Sequence, residues 1–427
     1  MQNKEKKKKK LSLTTLIFIA LLAGALTGVV INYLIPPNYV VDDIIVQGVF
    51  YIAGQGFIRL MRMLVVPLVF CSIVCGSMAV GDTKKLGSVG VKTLIFYLCT
   101  TAIAITVALS IANIFNPGKG LDMSQIQATS AVSETTQSMS MTETLLDIIP
   151  VNIFNSLSEG NMLQIIVFAL ILGVILANMG DRVDIVKNFF GQFNDIMMEM
   201  TMAVMKLAPI GVFCLIAKTF AEIGFEVFIP LLKYMFCVLL ALAVQCFVVY
   251  LGLLKVFSGL NPFIFIKNFF PVMAFAFSTS TSNATIPMNI DTLAAKMGVS
   301  KKISSFTIPL GATINMDGTS IMQGVAVVFT AQAFGIPLDM MDYLTVIGTA
   351  TLASIGTAGV PSVGLITLTM VFNSVGLPIE GIALIMGIDR ILDMTRTAVN
   401  ITGDAVCTTI VASWNKAVDR DVYYNRK

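Results

Sequence analysis

The last apolar segment of this chain carries charges that a lipid-facing helix cannot hold. Residues 389–404 read DRILDMTRTAVNITGD, between GIALIMGI and AVCTTIVASW. Asp389, Asp393, Arg396, Thr397, Asn400 and Asp404 recur at the spacing of one helical face, within a stripe of roughly 100°. Each Asp or Arg at the centre of a bilayer costs roughly 2.5–3.5 kcal/mol on insertion scales. Such a stripe persists only against a polar interior. It reads as a site for a charged solute and for cations.

Composition makes the bilayer the relevant solvent. The chain has 427 residues, 56% hydrophobic and 12% charged, where soluble domains carry about 25% charged residues. The expected class is an all-α polytopic membrane protein. A formal net charge of +3 gives no reason to expect nucleic acid. Lys4 and Lys6 to Lys10 precede an apolar stretch that begins at Leu11. They read as a topogenic cytoplasmic tail rather than a cleaved signal, because the stretch is long enough to span and no small-residue cleavage site closes it. The seven cysteines lie in apolar stretches without a CxxC pair and read as small buried hydrophobes. With no histidine in the chain, His-ligated metals and His proton relays are excluded.

Eight hydrophobic spans are expected, at 11–35, 46–80, 93–115, 161–179, 196–224, 226–256, 303–335 and 380–412. Two further regions, 261–293 and 342–376, are apolar but interrupted by small polar residues and Pro. Lys84, Lys85, Arg182, Lys187, Lys255, Lys267, Lys296, Lys301, Lys302 and Lys416 fall in alternate loops. The positive-inside rule then puts both termini in the cytoplasm, provided each odd region enters and leaves on one side. That is the pattern of two re-entrant helical hairpins, dipping from opposite faces as in an inverted repeat, with a site where the halves meet. The stretch from Asn116 to Asp147, rich in Ser, Thr, Gln and Met, reads as an exposed loop without chemistry.

Within 303–335 the run Asn315-Met316-Asp317-Gly318-Thr319 interrupts the helix pattern. Asn, Asp and Gly compete for backbone hydrogen bonds, so an unwound segment is expected. Its free carbonyls, the Asn315 oxygen and the Asp317 carboxylate are hard oxygen ligands for a small cation; the bland alternative is a kink with one Asp paired to Arg. In the last span Arg396 can fork onto a carboxylate, and Asp393 can receive an ammonium. The alternative there is an internal ion pair that only joins helices. The Ser/Thr/Gly tips FSTSTSNATIP (277–287) and ASIGTAGVPSVG (353–364) offer N–H groups and hydroxyls at half-helix ends.

Taken together, NMDGT at 315–319, SNATIP at 282–287, SIGTAGVPSVG at 354–364 and DMTRTAVNITGD at 393–404 resemble the glutamate transporter homologues. These are the dicarboxylate/amino acid:cation symporters, with archaeal aspartate and bacterial proton/sodium-glutamate members. RLMRMLVVPLVF and FNPGKG fit the same pattern, and the resemblance spans nearly the whole chain.

The resemblance implies a homotrimeric, elevator-type transporter in the plasma (inner) membrane that imports aspartate or glutamate with sodium, in contact with lipid and without an organic cofactor. It divides the chain into a basic cytoplasmic tail (1–10), scaffold helices (11–92 and 149–225), transport-domain segments (93–115 and 226–415), an extracellular loop (116–148) and a cytoplasmic tail (416–427). The substrate residues it implies are Ser280, Ser282, Thr319, Val360, Gly364, Asp393, Arg396, Thr397 and Asn400. One sodium would lie among Gly311, Asn315, Asn400 and Asp404, and another among Thr313, Ser354, Ile355 and Thr357. A third would lie near Tyr97, Thr100, Thr101, Asn315 and Asp317.

The chain also departs from these relatives. Archaeal members carry Arg at the position of Ser280, and eukaryotic members carry it at Met394; here Arg390 is expected to supply that charge or to point away. Gln323 stands where eukaryotic members have a proton-binding Glu, which argues against their proton and potassium coupling. Proton-coupled transport, C4-dicarboxylates and cystine remain alternatives within the family. An intramembrane aspartyl protease is disfavoured because Gly403-Asp404 follows Ile401-Thr402 and completes no GxGD. A channel is disfavoured because no filter-like motif occurs.

Overall fold

A computed structural model describes residues 13–81, 88–121, 149–224, 228–355 and 363–425. The regular structure among them is helical, and the single strand-like contact is an isolated bridge between Val299 and Val418. In chain order the helices are α1 (Leu13–Leu34), α2 (Tyr51–Gly81), α3 (Ser88–Phe115), α4 (Ile153–Glu159), α5 (Met162–Met179), α6 (Asp184–Met205) and α7 (Ala208–Ile223). There follow α8 (Phe228–Ala243), α9 (Leu251–Ser258), α10 (Pro262–Thr279), α11 (Ser282–Met297), α12 (Lys301–Ile314), α13 (Asp317–Ala333), α14 (Met340–Ser354), α15 (Val363–Ser374), α16 (Gly381–Trp414) and α17 (Arg420–Tyr423). Among the described residues, Thr15–Leu34, Val89–Phe115, Gln164–Met205, Phe228–Ser258 and Pro262–Thr279 are long and apolar enough to cross a bilayer. The chain is an integral, polytopic membrane protein.

Several boundaries differ from the sequence expectation. The span expected at 196–224 is split: α6 ends at Met205 and α7 starts at Ala208, with Pro209 in its first turn. Pro there has no N–H to donate and its ring blocks the preceding turn, so the helix restarts. Residues 184–195, expected as a charged loop, belong to α6. The second span begins earlier than expected, because a π-helical stretch from Val40 to Phe50 runs through Asp42 and Asp43 directly into α2. Helix 303–335 unwinds only at Asn315 and Met316; Asp317 to Thr319 already form the first turn of α13. Cys99 is exposed and Cys75 half-buried, so not every cysteine is a buried hydrophobe. Most of the polar loop lies outside the described residues, but its start docks on α13: the Gly118 N–H donates to Gln332 Oε1 at 3.0 Å.

Small residues set the closest helix contacts. Gly24 and Gly28, one turn apart on α1, press against α7; a Cβ on Gly24 would stand 2.7 Å from the Phe213 carbonyl, and one on Gly28 2.6 Å from that of Ala217. Around this pair, α2 packs on α5, α6 and α7. A second body of contacts joins α3 to α13, α10 to α11 and α16, and α12 to α11 and α16. In it, α13 is buried almost along its whole length.

Two helix pairs turn back on themselves. Between α10 and α11 the chain reverses at Ser280 and Thr281, where Ser280 takes a left-handed φ of 52°. The tip between α14 and α15 falls outside the described residues. Segment 417–423 ties the roots of the first pair together. The Ser300 N–H donates to Ala417 O at 2.9 Å and the Asp419 N–H to Gly298 O at 2.8 Å. The Tyr423 hydroxyl donates to Asn261 O at 2.8 Å. Trp414 donates from Nε1 to Phe257 O at 3.2 Å.

Candidate functional site

The break before α13 is held open by side chains rather than by helix hydrogen bonds. Asn315 leaves the helix with an extended ψ of 93°. Its Nδ2 donates to Asn400 O at 3.0 Å and to Asp404 Oδ1 at 2.9 Å. Asn400 answers from α16, accepting the Gly318 N–H on Oδ1 at 2.7 Å. The Asn400 side chain thus takes up a backbone N–H at the start of α13, and Asp404 holds the Asn315 amide. Gly311 completes the group, for a Cβ there would collide with Asp404 Oδ1 and the Tyr97 hydroxyl. The structure therefore brings Gly311, Asn315, Asn400 and Asp404 together. Asn315 Oδ1 is buried and accepts from no donor, an oxygen suited to a cation.

A second cluster surrounds the Asp317 carboxylate. Thr101 on α3 donates to Asp317 Oδ1 at 2.6 Å. The Thr100 hydroxyl turns to the Tyr97 carbonyl at 3.1 Å, and the Tyr97 hydroxyl to Thr307 O at 3.3 Å. Two residues that the sequence reading did not include reach the same carboxylate: Gln245 Nε2 at 3.0 Å and the Tyr250 hydroxyl at 2.7 Å, both on Asp317 Oδ2.

Arg396 occupies the centre of the charged stripe and is buried. One terminal nitrogen, Nη2, lies 2.9 Å from Asp393 Oδ1 and 2.9 Å from Asp389 Oδ1. Its Nε and Nη1 are buried without a hydrogen-bond partner. Buried guanidinium donors left open in this way are costly unless a ligand satisfies them. Thr397 donates to the Asp393 carbonyl at 2.8 Å. Above Arg396, Gly364 brings α15 within reach; a Cβ on it would stand 2.9 Å from Thr319 Cγ2 and 3.5 Å from Arg396 Nη1. Thr319, Gly364, Asp393, Arg396 and Thr397 thus form one neighbourhood. Asp389, read in the sequence as part of the stripe but not as a ligand, belongs to it.

Other expected site residues are less gathered. Ser280 and Ser282 are buried at the tip of the first helix pair, and Ser280 Oγ has no partner. Thr313 is half-buried and bonds back to Pro309 O at 2.9 Å on its own helix. Ser354 bonds to Thr351 O at 2.8 Å, also within its helix, and Ile355 is the C-cap. Thr357 and Val360 lie outside the described residues, as does the side chain of Arg390.

The electrostatics are uneven. Asp317, Asp389, Asp393 and Asp404 are buried carboxylates, and Arg396, which pairs with Asp389 and Asp393, is the single buried guanidinium among the described residues. With all four ionised, these five side chains alone sum to three net negative charges. Among the described residues there is no group of three His, Cys, Asp or Glu side chains that could hold a metal ion. The available ligands are instead hydroxyls, amide oxygens, carbonyls and separate carboxylates, a set that suits hard cations of low charge. The arrangement can take up an anion at Arg396 and cations at the acids below it.

Comparison with known proteins agrees with this chemistry. The sodium:dicarboxylate symporter family matches residues 13–414. The chain is 39% identical over 411 residues to the proton/sodium-glutamate symport protein of Bacillus caldotenax, covering 95% of each chain. It is 36% identical over 419 residues to the proton/glutamate-aspartate symporter of Escherichia coli K12, covering 96% of this chain and 94% of that one. Against C4-dicarboxylate transport protein 1 of Ralstonia nicotianae it is 33% identical over 372 residues, covering 86% of each. The charged stripe in α16 and the broken helix before α13 are thus parts of a transporter and not of an enzyme: the chain belongs to the sodium:dicarboxylate symporter family.

Proposed function

We propose that this chain imports an acidic amino acid, aspartate or glutamate, together with sodium ions, by an elevator motion. The observation that carries the reading is Arg396, whose Nε and Nη1 are buried and open while Nη2 is shared by Asp389 and Asp393. A side-chain carboxylate satisfies the open donors, and the α-ammonium of the same molecule faces Asp393. A plain C4-dicarboxylate, transported according to its name by the Ralstonia relative, offers Asp393 no ammonium. The amino acid is therefore the better fit, as the names of the Bacillus and Escherichia relatives suggest.

Coupling follows from charge. An acidic amino acid adds one net negative charge to a cluster already rich in carboxylates, at a cost of several kcal/mol in low dielectric. Sodium at Asn315–Asp404 and beside Asp317 offsets it. A sodium ion entering down about 100 mV and an about tenfold gradient contributes about 3.7 kcal/mol, the sum of about 2.3 and about 1.4.

In this reading the helix pairs α10–α11 and α14–α15 are re-entrant hairpins of a moving domain that also holds α3, α8, α9, α12, α13 and α16. Helices α1, α2 and α4 to α7 form a fixed scaffold in a homotrimer in the plasma membrane, with both termini cytoplasmic. The two bodies of helix contacts support that division. Arg390 adds positive charge near Asp389 and Asp393; unchanged affinity and turnover in Arg390→Ala would overturn that role.

The test is competitive uptake of labelled aspartate into proteoliposomes, with sodium and pH varied independently. Uptake that requires sodium and is blocked by glutamate supports the proposal. Full uptake in sodium-free buffer with an inward proton gradient replaces sodium by protons. Uptake of succinate but not aspartate replaces the amino acid by a dicarboxylate.

A further inference from the structure

Asp317 is held from two sides that differ in kind. On one side the Thr101 hydroxyl lies 2.6 Å from Asp317 Oδ1 and 2.8 Å from the Tyr97 carbonyl. It has one proton for two acceptors, so it can release Oδ1 and remain bonded. On the other side two donors converge on Oδ2, the Tyr250 hydroxyl at 2.7 Å and Gln245 Nε2 at 3.0 Å. Both residues are buried, and Gln245 also reaches the Thr100 carbonyl at 3.3 Å. Gln245 Oε1 accepts from nothing, the state of an oxygen available to a cation.

Gln245 and Tyr250 are five residues apart, which on an α-helix separates them by about 140°. They cannot both face Asp317 from such a helix. The chain solves this by winding Val244–Tyr250 as a π-helix between α8 and α9. Hydrogen bonding from i to i+5 brings residues five apart onto one face. Short π segments are rare and tend to mark functional positions. Here the segment coincides with the two side chains that hold one carboxylate oxygen.

We propose that Gln245 and Tyr250 are positioning residues for a cation at Asp317. They pin Oδ2, so that Oδ1 and the Thr101 oxygen face the ion when the hydroxyl proton turns to Tyr97 O. The inference rests on reading Asp317 as a cation ligand, and it adds to that reading the part of the molecule that orients the ligand.

Thermal unfolding of the purified full chain in detergent tests this without any organic solute. Sodium chloride is titrated against choline chloride at constant ionic strength, so that the unfolding temperature reports ion binding. The parent protein is expected to gain stability as sodium rises. Tyr250→Phe and Gln245→Leu are each expected to need about tenfold more sodium for half the gain, the scale of one charge-assisted hydrogen bond. In choline they unfold somewhat below the parent temperature, since each has lost a buried hydrogen bond, and the sodium midpoint is read apart from that offset. The double variant shifts the midpoint by less than the product of the single shifts, because both donors act on one oxygen.

An unchanged sodium midpoint in both single variants, with or without a uniform loss of stability, overturns the inference. Asp317→Asn separates this from failure of the underlying reading. If it abolishes the sodium response while the two single variants leave the midpoint alone, only the positioning role falls. If Asp317→Asn leaves the midpoint alone, or the parent shows no sodium response, the cation reading falls and the inference with it. Tyr250→Phe removes one oxygen atom and suffices alone if Gln245→Leu does not fold.

Discussion

Asp393 Oδ1 lies 2.9 Å from Arg396 Nη2, and Asp389 Oδ1 lies at the same distance from the same nitrogen. One corner of the guanidinium therefore balances two carboxylates, while its other donors stay open. The asymmetry gives the site a direction: the open edge of Arg396 suits an anion, and the acids suit a cationic group.

Replacing Arg396 removes the open edge and the counter-charge at once. Arg396→Cys is expected to abolish aspartate and glutamate uptake, a loss of more than about 100-fold for a broken buried charge pair. Uptake of serine or alanine is expected to appear instead, since these need only the ammonium contact. Counter-flow with the four labelled amino acids reads both effects, and retained aspartate uptake would falsify the role given to Arg396.

Asp393→Asn tests the ammonium contact separately. Aspartate affinity is expected to fall by about 100-fold, while inhibition by succinate, which has no ammonium, changes by less than about threefold. Equal losses for the two inhibitors would show that Asp393 acts only by holding Arg396.

Asp404 and Gly311 address the first cation cluster. Asp404→Ala leaves Asn315 Nδ2 with only the Asn400 carbonyl, and it removes a negative charge from the cluster. The sodium concentration for half-maximal aspartate binding is expected to rise by about tenfold or more. Gly311→Ala drives a methyl group onto Asp404 Oδ1 and the Tyr97 hydroxyl, and should move the same midpoint in the same direction. Calorimetric titration of aspartate at several sodium concentrations checks both; a fall in aspartate affinity at saturating sodium alone would contradict them.

Gly364→Ala probes how closely α15 covers the arginine. Its Cβ would press on Thr319 Cγ2 at 2.9 Å and Met322 Cε at 3.1 Å, and reach Arg396 Nη1 at 3.5 Å. The added methyl narrows the space over the open donor, so aspartate affinity is expected to drop about tenfold, and the overpacked contacts are expected to lower the unfolding temperature as well. A parent-like dissociation constant would show that the solute does not pass between α15 and Arg396.

The sequence carried much of this arrangement in plain view, and particular residues show why. The α16 stripe was legible because charge in an apolar segment has few explanations. The break at Asn315 was legible because Asn, Asp and Gly are poor helix formers, although its extent was not, since Asp317 is an acceptable first-turn residue. Helix α6 was read partly as a loop because its charges hid an amphipathic pattern. Gln245 and Tyr250 escaped because a spacing of five matches neither an α-helical face nor a strand; only the π winding unites them. The one signal was Gln245 itself, a lone amide in AVQCFVVY. Ser280 gave no hint of its left-handed backbone, which Gly or Asn would have advertised.

The bridge between Val299 and Val418 has a practical consequence. Together with the Tyr423 bond to Asn261, it makes residues 417–423 a clasp across both roots of the α10–α11 pair. A fluorescent protein or affinity handle fused just beyond Tyr423 hangs from that clasp. Its drag bears directly on the roots at Asn261 and Gly298, so a labelling scheme that must leave the pair undisturbed should be built elsewhere.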